Sequence, residues 1–434
     1  MDTPICDFVR QYAVSGMVRG HMPGHKGQGT IGVESLDITE IEGADSLYEA
    51  GGIIAKSEAN ASSIFGCHTF YSTEGSSQCI RAMVYLAVLN AKKQGKAPLI
   101  AAGRNAHKVF MNAAALMDVQ VNWITGDSWL SCCISPQMLD EYLTKNPAAA
   151  VYVTSPDYLG NVLDIGSLAE TAHRHGALFM VDNAHGAYLK FLPQSQHPMD
   201  LGADVCCDSA HKTLPVLTGG AYLHIAGDMM AGMAKTALAL FGPTSPSYLI
   251  LQSLDAANRY LAEEYPRKLA DFIRQVDGMK EKLINNGYTL VGSEPLKLTV
   301  APKAFGYTGH QLGRELEQRN IAFEFADPDH LVLMLTPEMA MKTVENALLS
   351  VPRRDPVTAV PPAFHQAAVA MTIRQAALSP FESVPVEAGD GRILAAASVG
   401  CPPAVPIAVC GERIDGVLIE VFRYYGIQKI SVVL

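Results

Sequence analysis

The sequence predicts an α/β protein, a mainly parallel sheet wrapped by helices and followed by a smaller α+β domain. Two observations carry this reading. Between residues 98 and 225 short apolar runs alternate with segments of helical period, and after about residue 245 that alternation gives way to long helices and mixed elements. The apolar runs are PLIAAG (98–103), VQVNWI (119–124), AAVYVTSP (149–156), ALFMVDNAHG (177–186), ADVCCDS (203–209) and GGAYLHI (219–225). Continuous apolar runs, rather than alternating ones, are what strands covered on both faces require.

The intervening segments read as helices. SSQCIRAMVYLAVLNAKKQGK (76–96) places Ile80, Met83, Val84, Ala87 and Val88 on one face and closes with Lys92, Lys93 and Gly95, the cations and glycine that stop a helix. Residues 260–287 form a long helical pattern, and later come KLTVAP, a helix around GHQLGRELEQRN, the run IAFEFADPDHLVLMLTP and the helix EMAMKTVENALLSV. The proline-rich joint VPRRDPVTAVPPAF (351–364) precedes a final lobe. The expected organisation is an N-terminal arm over 1–50, a large domain over 51–285 and a small domain over 286–434, with a sub-lobe from about residue 362.

Composition narrows the function. With 434 residues, 49% hydrophobic and 18% charged, the chain is long enough to bury a large core. A net charge of -10 leaves no basic stripe to track phosphates, which argues against nucleic acid as a partner and favours a cationic ligand. The start, MDTPICDFVRQYAVSG, does not resemble a signal peptide, and no apolar run is long enough to cross a bilayer. The nine cysteines are scattered without the spacing of a metal site, which predicts reduced thiols in the cytoplasm and no structural metal. Cys206 and Cys207 read as small core residues.

The chemistry is concentrated at strand exits, where reactive groups collect in such sheets. Asp182 ends the apolar run ALFMVD, with His185 three residues later, and thirty residues on Lys212 follows the run ADVCCDS in the segment Ser209-Ala-His211-Lys212. A carboxylate at such a position is either a helix cap or a partner for a cation. A lysine at the mouth of a buried strand asks for a chemical reason, because a desolvated ammonium is costly. Together the two point to pyridoxal phosphate, the lysine forming the Schiff base and the aspartate keeping a proton on the pyridine nitrogen. Burial favours the neutral amine that must attack the aldehyde. TEGSSQ (73–78) offers Gly75, Ser76 and Ser77 at a helix start, a cup for the phosphate, and Ser209 adds a hydroxyl. His107, in GRNAHKVFMNAA, again lies between a strand and a helix, either capping the helix or stacking its ring on the cofactor.

With these residues in place, the chain resembles the ornithine/lysine/arginine decarboxylases, in the short form without the N-terminal wing domain. Five segments in order carry the resemblance: HMPGHKG (21–27), DITEIEGADSLYEAGGIIAKSE (37–58), DNAHGAY (182–188), SAHKTLP (209–215) and CPPAVPIAVCGE (401–412). The resemblance implies a fold-type-I large domain with a mainly parallel seven-stranded sheet. It also implies Lys212 as the Schiff-base lysine, Asp182 as the pyridine-nitrogen partner and His107 as the stacking histidine. Ser76, Ser77, Ser209 and His211 would hold the phosphate, and His185 would lie near the phenolic edge. A homodimer with its active site at the interface is implied as well. The chain departs from the family pattern at Glu74, beside the phosphate cup, at Asp157, and at Cys401, Ala404 and Cys410.

The reaction expected from this resemblance is α-decarboxylation of a basic amino acid, arginine, lysine or ornithine, to a diamine or polyamine. Lys212 or His107 would return a proton to the α-carbon. An acid should meet the distal cation of the substrate, Glu412 in first place and Asp45 in second. Two alternatives stand beside it. One is another fold-type-I reaction, transamination or β-elimination, for which Arg374, Arg392 and Arg413 are available as carboxylate ligands. The other is a non-catalytic regulatory relative, against which the presence of both Lys212 and Asp182 argues.

Overall fold

The computed structural model describes residues 1–126, 128, 129, 131–399 and 405–434. Seven strands make one mixed sheet: β1 (His68–Ser72), β2 (Leu99–Gly103), β3 (Gln120–Ile124), β4 (Ala150–Thr154), β5 (Leu178–Asp182), β6 (Val205–Asp208) and β7 (Ala221–Ile225). Their spatial order is β1-β7-β6-β5-β4-β2-β3. All six apolar runs of the sequence became strands, and β1 is the addition. It pairs antiparallel with β7, and β7 runs antiparallel to β6, whereas β5–β6, β2–β4 and β2–β3 are parallel. The reversal at β7 has a local cause. Only the one-turn helix Ala210–Thr213 separates it from β6, and no full crossover helix carries the chain back to the starting end.

Contacts divide the chain into two compact units, Met1–Asn90 with Phe179–Ala270 and Ala91–Leu178 with Asp271–Leu434. In the second unit β2 lies between β3 and β4. This unit also holds an antiparallel sheet of β8 (Thr289–Val291), β9 (Lys297–Ala301), β10 (Phe325–Ala326) and β11 (Leu331–Met334), in the order β10-β11-β9-β8. Its C-terminal part has its own core, in which Trp129, Val386, Leu394, Ile407, Leu418, Phe422 and Val432 are packed together. The indole N–H of Trp129 donates to the carbonyl of Pro362 at 3.1 Å, which fastens the proline-rich joint beside that core.

In the first unit, strands β5, β6 and β7 are buried along their described length, as continuous apolar runs demand. Around them lie α1 (Pro4–Val14), α2 (Ile53–Phe65), α3 (Gly75–Lys93, to Asn90 within this unit) and the helix Tyr248–Glu263. The N-terminal residues, expected to form an arm, begin with a packed helix: Ile5, Cys6 and Val9 of α1 are buried. Asp255 holds that helix in place. Its Oδ2 accepts the backbone N–H groups of Ile5 at 3.0 Å and Cys6 at 2.9 Å, and its Oδ1 accepts from the Ser57 hydroxyl at 2.5 Å. These are first-turn donors with no partner inside the helix, so the carboxylate answers both the N-terminal polarity and the unpaired N–H groups. Asp255→Ala should lower stability by about 2–4 kcal/mol, since charge-assisted bonds to buried groups are lost together. Urea unfolding should register this loss, and limited proteolysis should show faster cleavage within α1.

Candidate active site

The site is built from the exits of β5 and β6. Apolar packing along β5 leaves Asp182 only 2% exposed at its end. Its Oδ1 accepts the N–H of Ala184 at 3.2 Å, an Asx-type turn that ends the strand, while the next helix begins only at Ala187 with Gly186 as its N-cap. The same oxygen accepts the Cys207 thiol at 3.6 Å. Burial, reinforced by the neighbouring Asp182 charge, pushes that thiol well above the ordinary range, which keeps it a donor.

Beyond β6 the chain turns through Ser209 into the helix Ala210–Thr213, and Lys212 emerges half-buried. Its Nζ lies 3.1 Å from Nε2 of His185, itself 5% exposed. The histidine three residues past Asp182 and the lysine thirty residues past it are thus brought together by adjacent parallel strands. Ser209 donates its hydroxyl to Ser76 Oγ at 2.7 Å, which places the lysine segment against the first turn of α3. Ser77 stands half-buried on that same turn. Gly75 opens it at φ +67°, and its N–H donates to the carbonyl of Gly219 at 2.7 Å. Gly219 has φ +103°, and a side chain there would meet the Thr73 carbonyl at 2.7 Å, so this approach of two loops requires glycine. His211 donates Nδ1–H to the Gly220 carbonyl at 3.0 Å, a tautomer set by the acceptor. Glu74 is exposed, with its backbone N–H on Ser72 Oγ at 3.1 Å.

This donor set fits pyridoxal phosphate. An amine next to an imidazole, a buried carboxylate at the neighbouring strand exit, and two hydroxyls in contact at the N-terminus of a nineteen-residue helix are the groups that an aldehyde, a pyridine nitrogen and a phosphate call for.

The remaining sequence candidates sit differently. His107 is exposed and caps α4 (Lys108–Met117), its Nδ1 accepting from Val109 N–H at 3.3 Å. Asp45, the second choice for the substrate cation, instead caps α2. Oδ2 accepts N–H groups of Gly52 at 2.7 Å and Ile54 at 3.0 Å, and Oδ1 that of Gly51 at 3.0 Å. Burial pushes its carboxyl up, but these backbone donors outweigh burial and hold it below the usual range. Glu412, the first choice, is 1% exposed and pairs through Oε2 with Arg104 at 2.7 Å, while accepting the N–H of Val409 at 2.8 Å. Asp157 is also buried, and it organises its own loop by accepting the N–H groups of Leu159 and Asn161, each at 2.9 Å. The Cys410 thiol donates to the carbonyl of Ala395 at 3.2 Å, whereas Cys401 and Ala404 lie outside the described residues.

Sequence reasoning missed a group of residues beneath the site. Asp208 accepts from Asn183 Nδ2 at 2.7 Å, from His197 Nε2 at 3.0 Å and from His224 Nε2 at 3.1 Å. An aspartate closing an apolar strand was a visible signal, but nothing in linear spacing joins it to histidines on two other elements.

Glu412 depends on its arginine. Arg104→Ala would leave the carboxylate buried and without its cation, and should cost about 3–5 kcal/mol of stability. The check is a urea-unfolding comparison of the variant with wild type.

Comparisons with known proteins agree with this geometry. Residues 3–301 match the family model described as "Orn/Lys/Arg decarboxylase, major domain". The arginine decarboxylase of Bacillus subtilis is 30% identical over 456 residues, covering 95% of this chain and 91% of that protein. That of Halalkalibacterium halodurans is likewise 30% identical, with the same coverage of 95% and 91%. The crystal structure of the lysine decarboxylase LdcF from Francisella novicida has TM-score 0.80 at 15% identity, covering 100% of this chain and 81% of that one, a likeness of fold. The chain therefore belongs to the Orn/Lys/Arg decarboxylase family, fold-type-I enzymes that use pyridoxal phosphate to decarboxylate amino acids.

Proposed function

We propose that the protein removes the α-carboxyl group of a basic amino acid as carbon dioxide, leaving a diamine or polyamine. The observation that carries this reading is the Lys212–His185 contact, 3.1 Å long, set between the Asp182 strand exit and the Ser76–Ser209 hydroxyl pair. Family membership supports it, and the two relatives named arginine decarboxylase make arginine the first substrate to test, ahead of lysine and ornithine.

Pyridoxal phosphate bound here would supply the electron sink for the bond that breaks at the α-carbon. The chain's own residues do the rest. Lys212 would provide the amine that anchors the cofactor. Asp182, its Oδ1 fixed by Ala184 N–H and the Cys207 thiol, keeps a proton on the pyridine nitrogen. Gly75, Ser76, Ser77, Ser209 and His211 would hold the phosphate, and His185 would lie near the phenolic edge. By the resemblance His107 would stack on the ring, and it or Lys212 would return a proton to the α-carbon. A homodimer with the active site at its interface follows from the resemblance, and a cytoplasmic setting from the scattered cysteines. Among the described residues no helix is long and apolar enough to cross a membrane.

Two of the assignments made from sequence change in this reading. The Asp45 carboxylate is committed to α2 and the Glu412 carboxylate to Arg104, so neither is put forward as the ligand of the distal substrate cation. The arginines that transamination would recruit are also engaged. Arg374 donates to the carbonyl of Ala115 at 2.9 Å, Arg392 pairs with Glu382 at 2.8 Å and Arg413 donates to the carbonyl of Gly391 at 2.6 Å.

The test is direct. Wild-type protein reconstituted with pyridoxal phosphate should absorb in the visible and release carbon dioxide from at least one of arginine, lysine and ornithine, and Lys212→Ala should lose both properties. Transfer of the amino group to a keto acid without carbon dioxide would overturn decarboxylation. Visible absorbance that survives Lys212→Ala would overturn the assignment of the lysine.

A further inference from the structure

Asp208 is 0% exposed, and among the described residues the ionisable groups within ion-pair distance of it are two imidazoles rather than a lysine or arginine. A carboxylate buried without a permanent cation is costly, and the structure meets that cost with hydrogen-bond donors. Oδ2 accepts from Nε2 of both His197 and His224, and Oδ1 accepts from Nδ2 of Asn183. The imidazole of His197 is set as a donor by its far nitrogen. Nδ1 of His197 accepts the N–H of Met199 at 3.4 Å, and Nδ1 of His224 lies 2.9 Å from the Thr69 hydroxyl. The proton of His197 therefore sits on Nε2, facing the carboxylate, and this argues against reading the cluster as a metal site, where that nitrogen would have to offer its lone pair. Burial pushes the Asp208 carboxyl up, but attraction to His197 and His224 and their hydrogen bonds outweigh it and hold the group well below the usual range. Burial lowers His224.

The position of this carboxylate matters more than its charge. Asp208 immediately precedes Ser209, the hydroxyl on Ser76, and stands four residues before Lys212. Asn183 immediately follows Asp182. Three contacts therefore join the two strand exits: Asn183 N–H to the Cys207 carbonyl at 3.0 Å, the Cys207 thiol to Asp182 at 3.6 Å and the Asn183 amide to Asp208 at 2.7 Å. From the opposite side His224 ties the same carboxylate to β7, and His197 ties it to the loop before the one-turn 3-10 helix Pro198–Leu201.

We infer that Asp208 is the positioning residue of the active site, a buried anchor that registers the Asp182 exit of β5 against the Ser209–Lys212 exit of β6. This rests on the functional reading above, in which those two exits hold opposite ends of one cofactor ring. The anchor touches neither cofactor nor substrate. It acts by fixing where the carboxylate and the amine stand relative to each other.

The test uses two variants of the full-length enzyme. Asp208→Asn keeps the shape and removes the charge, and Asn183→Ala cuts the link to β5 while leaving Asp208 its two imidazoles. Each is assayed for kcat and KM, for the equilibrium affinity of the apoenzyme for pyridoxal phosphate, for the visible spectrum of the bound cofactor across pH, and for melting temperature. The expected result is a kcat lower by about 10–100-fold with KM little changed, as small misplacements of reacting groups produce, together with weaker cofactor binding and a displaced spectroscopic pH midpoint. A lower melting temperature with kcat, affinity and midpoint all at wild-type values would show a merely structural role and overturn the inference. Should Asp208→Asn fail to fold, Asn183→Ala decides by the same criteria. Wild-type enzyme that fails to bind pyridoxal phosphate would instead overturn the functional reading itself, so the two failures are told apart.

Discussion

The clasp between the ends of β5 and β6 is the constraint on which the rest of the site depends. Parallel strands deliver their C-terminal residues to the same end of a sheet, but the strand ladder alone does not hold the residues beyond it. Here a backbone bond, a thiol and a side-chain amide extend the pairing past the last ladder residue. Asp182 and the Lys212 segment are consequently held by the rigid sheet rather than by loop conformation. Catalytic groups gain from such support because their rate contribution depends on placement to a fraction of an ångström.

A second closure brings the proposed phosphate cup to the same place. The start of α3 approaches the loop after Lys212 backbone to backbone, through the Gly75 N–H and the Gly219 carbonyl. Any side chain at Gly219 would strike the Thr73 carbonyl, so the pair of glycines before β7 is what allows the loop to close onto the helix. The Ser76–Ser209 hydroxyl contact lies within this closure, which explains why hydroxyls more than one hundred and thirty residues apart in the chain act as one unit.

Buried charges elsewhere show how the fold spends its acids. Glu412 is matched by Arg104, Asp255 by helix N–H groups, and Lys297 by Glu294 at 3.1 Å with the Asp157 carbonyl at 2.9 Å. Each lies where an unpaired charge would cost several kcal/mol, and each has its partners in place. Of the two acids expected to meet the substrate cation, Glu412 belongs to this group, whereas the half-buried Asp45 accepts N–H groups at the start of α2. A carboxylate near a family motif looks the same in the sequence whether it faces a ligand or a helix terminus.

By itself, the sequence determined the strand runs, the helix that starts at Gly75 and the decarboxylase family, and it led to the proposed pairing of Asp182 with Lys212. These were legible because each rests on local periodicity or on a residue type whose presence at a strand exit needs a chemical reason. It also implied His185 and Ser209, through resemblance and through their place beside those two residues. Only the tertiary structure decided the direction of β7, the addition of β1, the occupation of Asp45 and Glu412, and the network of Asp208 with Asn183, His197 and His224. The physical reason is that hydrogen bonding and desolvation are properties of neighbours in space. His197 and His224 are twenty-seven residues apart with no spacing rule to join them, and the chain reveals their common acceptor only once β6 and β7 have paired.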